Sequence, residues 1–160
     1  RGEKIWTTPS KTNRPKGLTL GKELARLKAI RTLNDSGLVC TKFTVRDNIY
    51  LQADCQIYRK AKYMDLGFNI YNEKGNHVFI MLDNSRDFNS RKGEPGLFQF
   101  TGKIPGDLLN NGQYFVQFGL SEDGHIVHIR ERDVLIFTVK DSMDPEGSRG
   151  YFSRPKYIYV

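Results

Sequence analysis

The order of apolar and polar residues along the chain predicts a protein built mostly of β-strands. From Leu24 onward, apolar side chains recur at every second position, and turn-forming Gly, Asn, Asp or Ser residues close most of the alternating segments. A period of two places successive side chains on opposite faces of a strand, so each segment is expected to bury one face. About seven to eight strands with turns roughly every 8 to 12 residues predict an all-β protein with an immunoglobulin-like antiparallel β-sandwich.

Three of the predicted strands expose an unusual series of side chains. In the segments 66–71 and 114–120, the apolar residues are expected to face the core and the residues between them to face outward. These outward residues are Gly67, Asn69, Tyr71, Phe115, Gln117 and Gly119. In the segment 78–83, we expect Val78, Ile80 and Leu82 to face the core and Met81 to face outward.

The outward residues combine flat rings with amides, which is a chemistry that suits a sugar. Aromatic rings stack on the apolar face of a pyranose, and amide or guanidinium groups bond to its hydroxyls. The candidate carbohydrate-binding residues are Asn69, Tyr71, Met81, Phe115, Gln117, His128 and Arg130. Tyrosine and arginine are also enriched at subunit interfaces, so a protein interface is the alternative interpretation of the same face.

A second outward face, on the other predicted sheet, carries Tyr50, Gln52 and Gln99. Its tyrosines lie at strand ends, whereas the first face places Tyr71 and Phe115 beside amides. Glycines on the first face also remove side chains, so a saccharide could approach the backbone there. We therefore expect the first face to hold the glycan.

Motifs for catalysis, metal binding and cofactors are missing from the sequence. It contains neither the Gly-x-Ser-x-Gly turn of a serine hydrolase nor a phosphate-binding Gly-x-x-x-x-Gly-Lys-Ser/Thr loop. His125 and His128 are expected on opposite faces of a strand, as solvated positions and not as metal ligands. Cys40 and Cys55 are too few for a disulfide framework, which favours a reducing compartment, and Cys55 is expected to be a small core residue. We expect no enzyme activity, metal or cofactor.

The positive charge is concentrated at one end of the chain. The net charge is +7, and the segment 1–31 holds nine Lys or Arg and two Asp or Glu, so the remainder is neutral. We expect residues 1–22 to be an extended basic lead-in or linker and residues 23–160 to be the sandwich domain. A nucleic-acid-binding domain would carry basic residues across its binding face, so we expect no nucleic-acid partner. An arm near an anionic membrane or an acidic protein fits the charge equally well.

Because Arg1 is not a methionine, we also expect the natural N-terminus to lie upstream.

The segment from Asn110 to Tyr114 has the spacing of a tyrosine corner. In that motif a tyrosine hydroxyl donates a hydrogen bond to the backbone a few residues upstream. We therefore expect Tyr114 to have a structural role.

Several segments, taken together, resemble the C-terminal domain of Wzt, the ATPase subunit of ABC transporters that export O-antigen and related polysaccharides. The resemblance covers roughly Leu24 to Pro155. The segments that carry it are Arg26–Asn34, Phe43–Asp47, Gly102–Pro105, Leu108–Tyr114, Asp133–Val139 and Gly150–Pro155.

The resemblance implies a sandwich that binds O-antigen polysaccharide, often by its modified non-reducing end, and thereby licenses export. It implies partnership with the parent ATPase domain and the membrane transporter subunit, and a cytoplasmic location at the inner face of the inner membrane. It also implies a homodimer that exchanges the C-terminal strand, here Tyr151 to Val160. The alternatives are a structural dimerisation module without a ligand, and a C-terminal strand that folds back on its own sheet.

Overall fold

Two β-sheets form the described part of the chain, which in this computed structural model comprises residues 3–5, 24–61, 63–83 and 94–141. The nine strands are β1 (Glu3–Ile5), β2 (Ala25–Leu33), β3 (Lys42–Thr44), β4 (Ile49–Ile57), β5 (Met64–Asn72), β6 (His77–Asp83), β7 (Gly96–Ile104), β8 (Gly112–Glu122) and β9 (Ile126–Lys140). The predicted C-terminal strand, Tyr151 to Val160, lies outside the described residues, as does most of the lead-in.

Sheet I has the strand order β1-β2-β4-β7, and sheet II has the order β3-β9-β8-β5-β6. All neighbours are antiparallel except β3 and β9, which are parallel. The predicted β-sandwich is confirmed, as is the distribution of the two candidate faces between two sheets. Strands β1 and β3 were not predicted, because three residues are too few to show alternation.

The core lies between the sheets and contains the apolar residues of β5 and β8 that the alternation assigned to it. The Phe68 and Phe118 rings pack 5.4 Å apart, and the Tyr114 ring stacks on Phe137 at 5.5 Å. Each fully buried side chain of this size contributes about 1.5–3 kcal/mol through burial. Cys55 is fully buried, so its expected role as a small core residue is confirmed. Burial, followed by the neighbouring Asp54 charge, raises the pKa of its thiol.

The prediction for β6 was wrong, because the strand is turned over relative to the expectation. Met81 pairs with inward-facing Phe68, packs against the core, and brings its thioether close to Gly102 of sheet I. Ile80 and Leu82 are exposed instead. Both faces of this strand are apolar, so a period of two could not decide which one is buried.

The prediction for His128 was also wrong. Leu120 pairs with Ile129 and Ser121 pairs with Val127, so His128 is an extra residue in a bulge of β9. Its side chain is 2% exposed and is neither solvated nor on the outer face. A bulge interrupts the alternation of faces, and the sequence did not predict this one.

The tyrosine corner is confirmed. The Tyr114 hydroxyl donates a hydrogen bond of 3.0 Å to the backbone oxygen of Asn110. This contact fastens the start of β8 to the loop before it.

Candidate functional site

The outer face of sheet II is organised in rows of side chains that cross the strands. Strand pairing sets one row that contains two adjacent glycines, Gly67 and Gly119, between Leu82 of β6 and Arg130 of β9. Gly67 is buried, with the Leu82 and Ile80 side chains close to where its Cβ would lie, whereas Gly119 is half-buried, so the backbone is accessible at Gly119.

Two polar or aromatic rows lie on one side of the glycines. The nearer row is Ile80, Asn69 and Gln117, and the farther row is His77, Tyr71, Phe115 and Ile136. On the other side of the glycines, Asp65, Ser121 and Val127 form a third row. The face therefore changes from aromatic rings, through amides and glycines, to a carboxylate.

His77 links the aromatic row to the amide row. Its ring lies 5.1 Å from the Tyr71 ring at an interplanar angle of 59°, and its Nε2 lies 3.1 Å from Oδ1 of Asn69. Sequence reasoning missed His77, although its place just after the predicted β5–β6 turn could have put it opposite Tyr71. His77 therefore contacts both the Tyr71 ring and the Asn69 amide.

Two open clefts adjoin on this face. The first, of about 390 Å³, lies over Tyr71 and Phe115 and extends to Arg132 and Asp133, where the pairing of β8 with β9 shifts a second time, between Val116 and Phe118. The second, of about 150 Å³, lies over the two glycines, and its lining includes Arg130. Gln117 lines both clefts. Arg132 was not predicted as a site residue, because the shift of register between Val116 and Phe118 sets which charged side chains of β9 reach the cleft.

The structure brings five of the seven predicted site residues onto this one face. They are Asn69, Tyr71, Phe115, Gln117 and Arg130. Met81 and His128 face the interior, for the reasons given above.

The two arginines of the face have no acidic partner in the described part of the chain. Arg130 and Arg132 are exposed, and no described carboxylate lies within ion-pair distance of either. The carboxylate of Asp65 is directed toward the β8–β9 turn, where Oδ2 lies 3.8 Å from the Cβ position of Gly124. The described carboxylates therefore leave the guanidinium groups of Arg130 and Arg132 without an ion pair.

The outer face of sheet I uses its polar groups internally. Arg31 donates from Nε to Gln52 Oε1 at 2.7 Å and from Nη1 to Asp54 Oδ2 at 2.8 Å. Gln99 donates to the other oxygen of Asp54 at 2.9 Å. A ligand on this face would have to displace these bonds, which weakens its claim as a binding site.

No group of three His, Cys, Asp or Glu side chains among the described residues is arranged to hold a metal ion. In the same part of the chain, no helix has the length and apolarity needed to cross a membrane.

Comparison with known proteins identifies the family. The sequence matches the Wzt C-terminal domain family over residues 19–153. A crystal structure of the C-terminal domain of Wzt is similar in fold, with a TM-score of 0.63 and 19% identity over 84% of each chain. The CARDB domain of a Pyrococcus furiosus protein matches with a TM-score of 0.43 and 10% identity, over 74% of this chain and 96% of that one, which is too little to support an argument. No curated protein sequence matches significantly. The family match spans most of the chain, and the chain therefore belongs to the Wzt C-terminal domain family.

Proposed function

We propose that this chain is a non-catalytic carbohydrate-binding module that binds O-antigen polysaccharide on the outer face of sheet II. Membership of the Wzt C-terminal domain family associates the chain with the ABC transporter for O-antigen. In the proposal, the module binds the polysaccharide, by its modified non-reducing end, before export.

The observation that carries the proposal is the pairing of rings with amides in an open cleft. Tyr71 and Phe115 are adjacent in register, and so are Asn69 and Gln117 in the next row. The Gln117 amide makes no hydrogen bond to any described residue, so both its donor and its acceptor are available to sugar hydroxyls. Rings that stack on a pyranose and amides that bond to its hydroxyls are the two contacts that a sugar needs.

The family membership supports a proposed setting for this binding event. The module would act beside its parent ATPase domain and the membrane transporter subunit, in the cytoplasm at the inner face of the inner membrane. Binding of the completed polysaccharide at the inner membrane would couple polysaccharide synthesis to export. No nucleic acid and no cofactor enters the proposal.

Calorimetric titration of the protein with the O-polysaccharide of its own bacterium tests the proposal. Phe115→Ala and Gln117→Ala should each weaken binding by about 1–3 kcal/mol, or roughly 5- to 150-fold in Kd, because each removes one contact to sugar. The matched controls on sheet I, Tyr50→Ala and Gln52→Ala, should leave the Kd unchanged. Absence of binding to the unaltered protein contradicts the function, and loss of binding only in the controls contradicts the choice of face.

A dimerisation module is the second candidate, and the exposed apolar residues of β6 favour it. Val78, Ile80 and Leu82 are each at least 42% exposed on an edge strand of sheet II. Edge strands with apolar side chains readily pair with another chain. The proposed partner is a second copy that exchanges Tyr151 to Val160. Light scattering on a chain that ends at Asp144 should show a monomer, whereas a dimer that survives the truncation contradicts strand exchange.

A further inference from the structure

Gly119 lies at the bottom of a trough on the outer face of sheet II, and the neighbouring Gly67 lines this trough but is itself buried beside Leu82. Strand register puts Gly67 beside Gly119. Asn69 and Gln117 form the neighbouring row on one side, and Asp65 and Ser121 form the row on the other side. Arg130 stands next to Gly119 at the β9 end of the trough. This trough is the smaller of the two clefts, with a volume of about 150 Å³.

Backbone conformation gives no reason for glycine at position 119. Gly119 is not among the residues with positive φ, so any amino acid could adopt its conformation. A Cβ there would have a single neighbour within 4 Å, the Ile129 backbone oxygen at 3.8 Å, which is an ordinary contact. Glycine within a strand weakens a sheet, so its place at Gly119 fits a close approach by a ligand.

Gly67 differs from Gly119, because packing explains it. A Cβ at Gly67 would lie 2.9 Å from Leu82 Cδ2 and 3.1 Å from the Met81 backbone oxygen, so β6 would have to shift. The inference therefore rests on Gly119, where the open space lies above the sheet.

The trough and the aromatic cleft are contiguous through Gln117, which lines both. A cavity of roughly 150 Å³ is large enough for one six-membered ring. The aromatic cleft, at about 390 Å³, lies within the range of small-ligand sites. A sugar ring in the trough would thus adjoin a sugar ring that is stacked on the aromatic side chains of Tyr71 and Phe115.

We infer that the trough holds the sugar unit adjoining the one stacked on Tyr71 and Phe115, so that the protein recognises at least a disaccharide. This inference rests on the proposed function and deepens it. The second sugar ring lies against the Gly119 backbone, and Gln117 bonds to hydroxyls of both sugar units. Arg130 donates hydrogen bonds to a hydroxyl or carboxylate of the second unit.

Affinity measured against oligosaccharide length tests the inference. The probes are fragments of one, two and three sugar units released from the O-polysaccharide by mild acid hydrolysis. For the unaltered protein, Kd should fall at least tenfold from one unit to two. Gly119→Ala should abolish this increase in affinity and leave the affinity for a single unit unchanged, because the added methyl group would stand between the second sugar ring and the backbone of residue 119. Phe115→Ala should weaken binding of every fragment.

Arg130→Ala is a second variant, in which only an exposed side chain is removed. It should reduce the affinity gained from the second sugar unit at least threefold. Thermal unfolding of Arg130→Ala should match that of the unaltered protein, and Gly119→Ala should be at least as stable, because alanine is favoured over glycine within a strand. If Gly119→Ala and Arg130→Ala keep the full gain while Phe115→Ala loses affinity, the trough is not a subsite and the proposed function stands. If the intact polysaccharide does not bind at all, both the function and the subsite are contradicted.

Discussion

Nε2 of His128 donates a hydrogen bond of 3.0 Å to Oε2 of Glu122 inside the sandwich, across the β8–β9 hairpin. The same carboxylate oxygen accepts a hydrogen bond of 3.1 Å from Arg59. The bond to His128 therefore joins the two strands of the hairpin, and the bond to Arg59 connects the hairpin to the segment that follows β4. Burial by itself would raise the pKa of Glu122, but the hydrogen bonds and charges of Arg59 and His128 outweigh it, so its pKa lies below the ordinary value.

Acid should remove the stability that Glu122 provides. A carboxyl group with a lowered pKa in the folded state stabilises the protein fully above its unfolded pKa, near 4.5, and this contribution is lost as the pH falls through the folded value. Glu122→Gln should lower the free energy of unfolding by about 1–3 kcal/mol at pH 7, since a buried charged pairing is lost. Below about pH 4.5 the difference from the unaltered protein should shrink. Urea unfolding at a series of pH values measures both effects.

Asp107→Asn is the matched control, because Asp107 is exposed and asparagine tolerates its positive φ of 64°. It should change the free energy of unfolding by no more than about 0.5 kcal/mol at any pH. A Glu122→Gln protein as stable as this control at pH 7 would contradict the role of the buried network.

Most of the fold was predictable because the strands of the sandwich bury one face and expose the other. The inward positions of β5 and β8 carry large apolar residues such as Phe68 and Phe118, which gives a clear period of two. The tyrosine corner was predictable because its contact lies within five residues. The short strands β1 and β3 were not predictable, because they are defined by their pairing with a neighbouring strand and are too short to show a period.

The site was less predictable than the fold, because small irregularities of register decide which side chains share a face. The bulge at His128 turns that residue inward while Arg130 stays outside. The inward facing of Met81 was not predictable because both faces of its edge strand are apolar. Each error is a shift of one residue, which in a strand moves a side chain to the opposite face.

Tyr114→Phe should destabilise the protein without affecting glycan binding. The variant loses the 3.0 Å hydrogen bond to Asn110, which is worth about 0.5–1.5 kcal/mol, and keeps the ring stacked on Phe137. Burial raises the pKa of the Tyr114 hydroxyl, which therefore stays protonated and able to donate at neutral pH. Thermal unfolding and calorimetry measure the two properties.

The control for this variant is Tyr58→Phe, since Tyr58 is 45% exposed and its ring lies under Arg26. The loss of its hydroxyl should leave the melting temperature unchanged. Equal melting temperatures for the two variants would show that the corner bond adds no stability.

Gly106 lies where two loops meet backbone to backbone. Its N–H donates a hydrogen bond of 3.2 Å to Asn48 Oδ1, and the next residue, Asp107, donates from its backbone N–H to the Val45 oxygen at 2.6 Å. A Cβ at Gly106 would overlap the backbone carbonyl group of Arg46. The loop after β7 is thus held against the loop after β3 only if residue 106 has no side chain.

Gly106→Ala should therefore force the two loops apart and lower the free energy of unfolding by about 1–3 kcal/mol, the range found for overpacked sites. Denaturant unfolding checks the loss, and hydrogen exchange at the Gly106 and Asp107 amides should quicken, because their hydrogen bonds lengthen or break. Gly37→Asn is the control: Gly37 has a φ of 74°, which asparagine adopts readily, and a Cβ there meets nothing within 4 Å. That variant should cost less than about 0.5 kcal/mol. A Gly106→Ala protein that unfolds at the same denaturant concentration as Gly37→Asn would show that the loops do not need this contact.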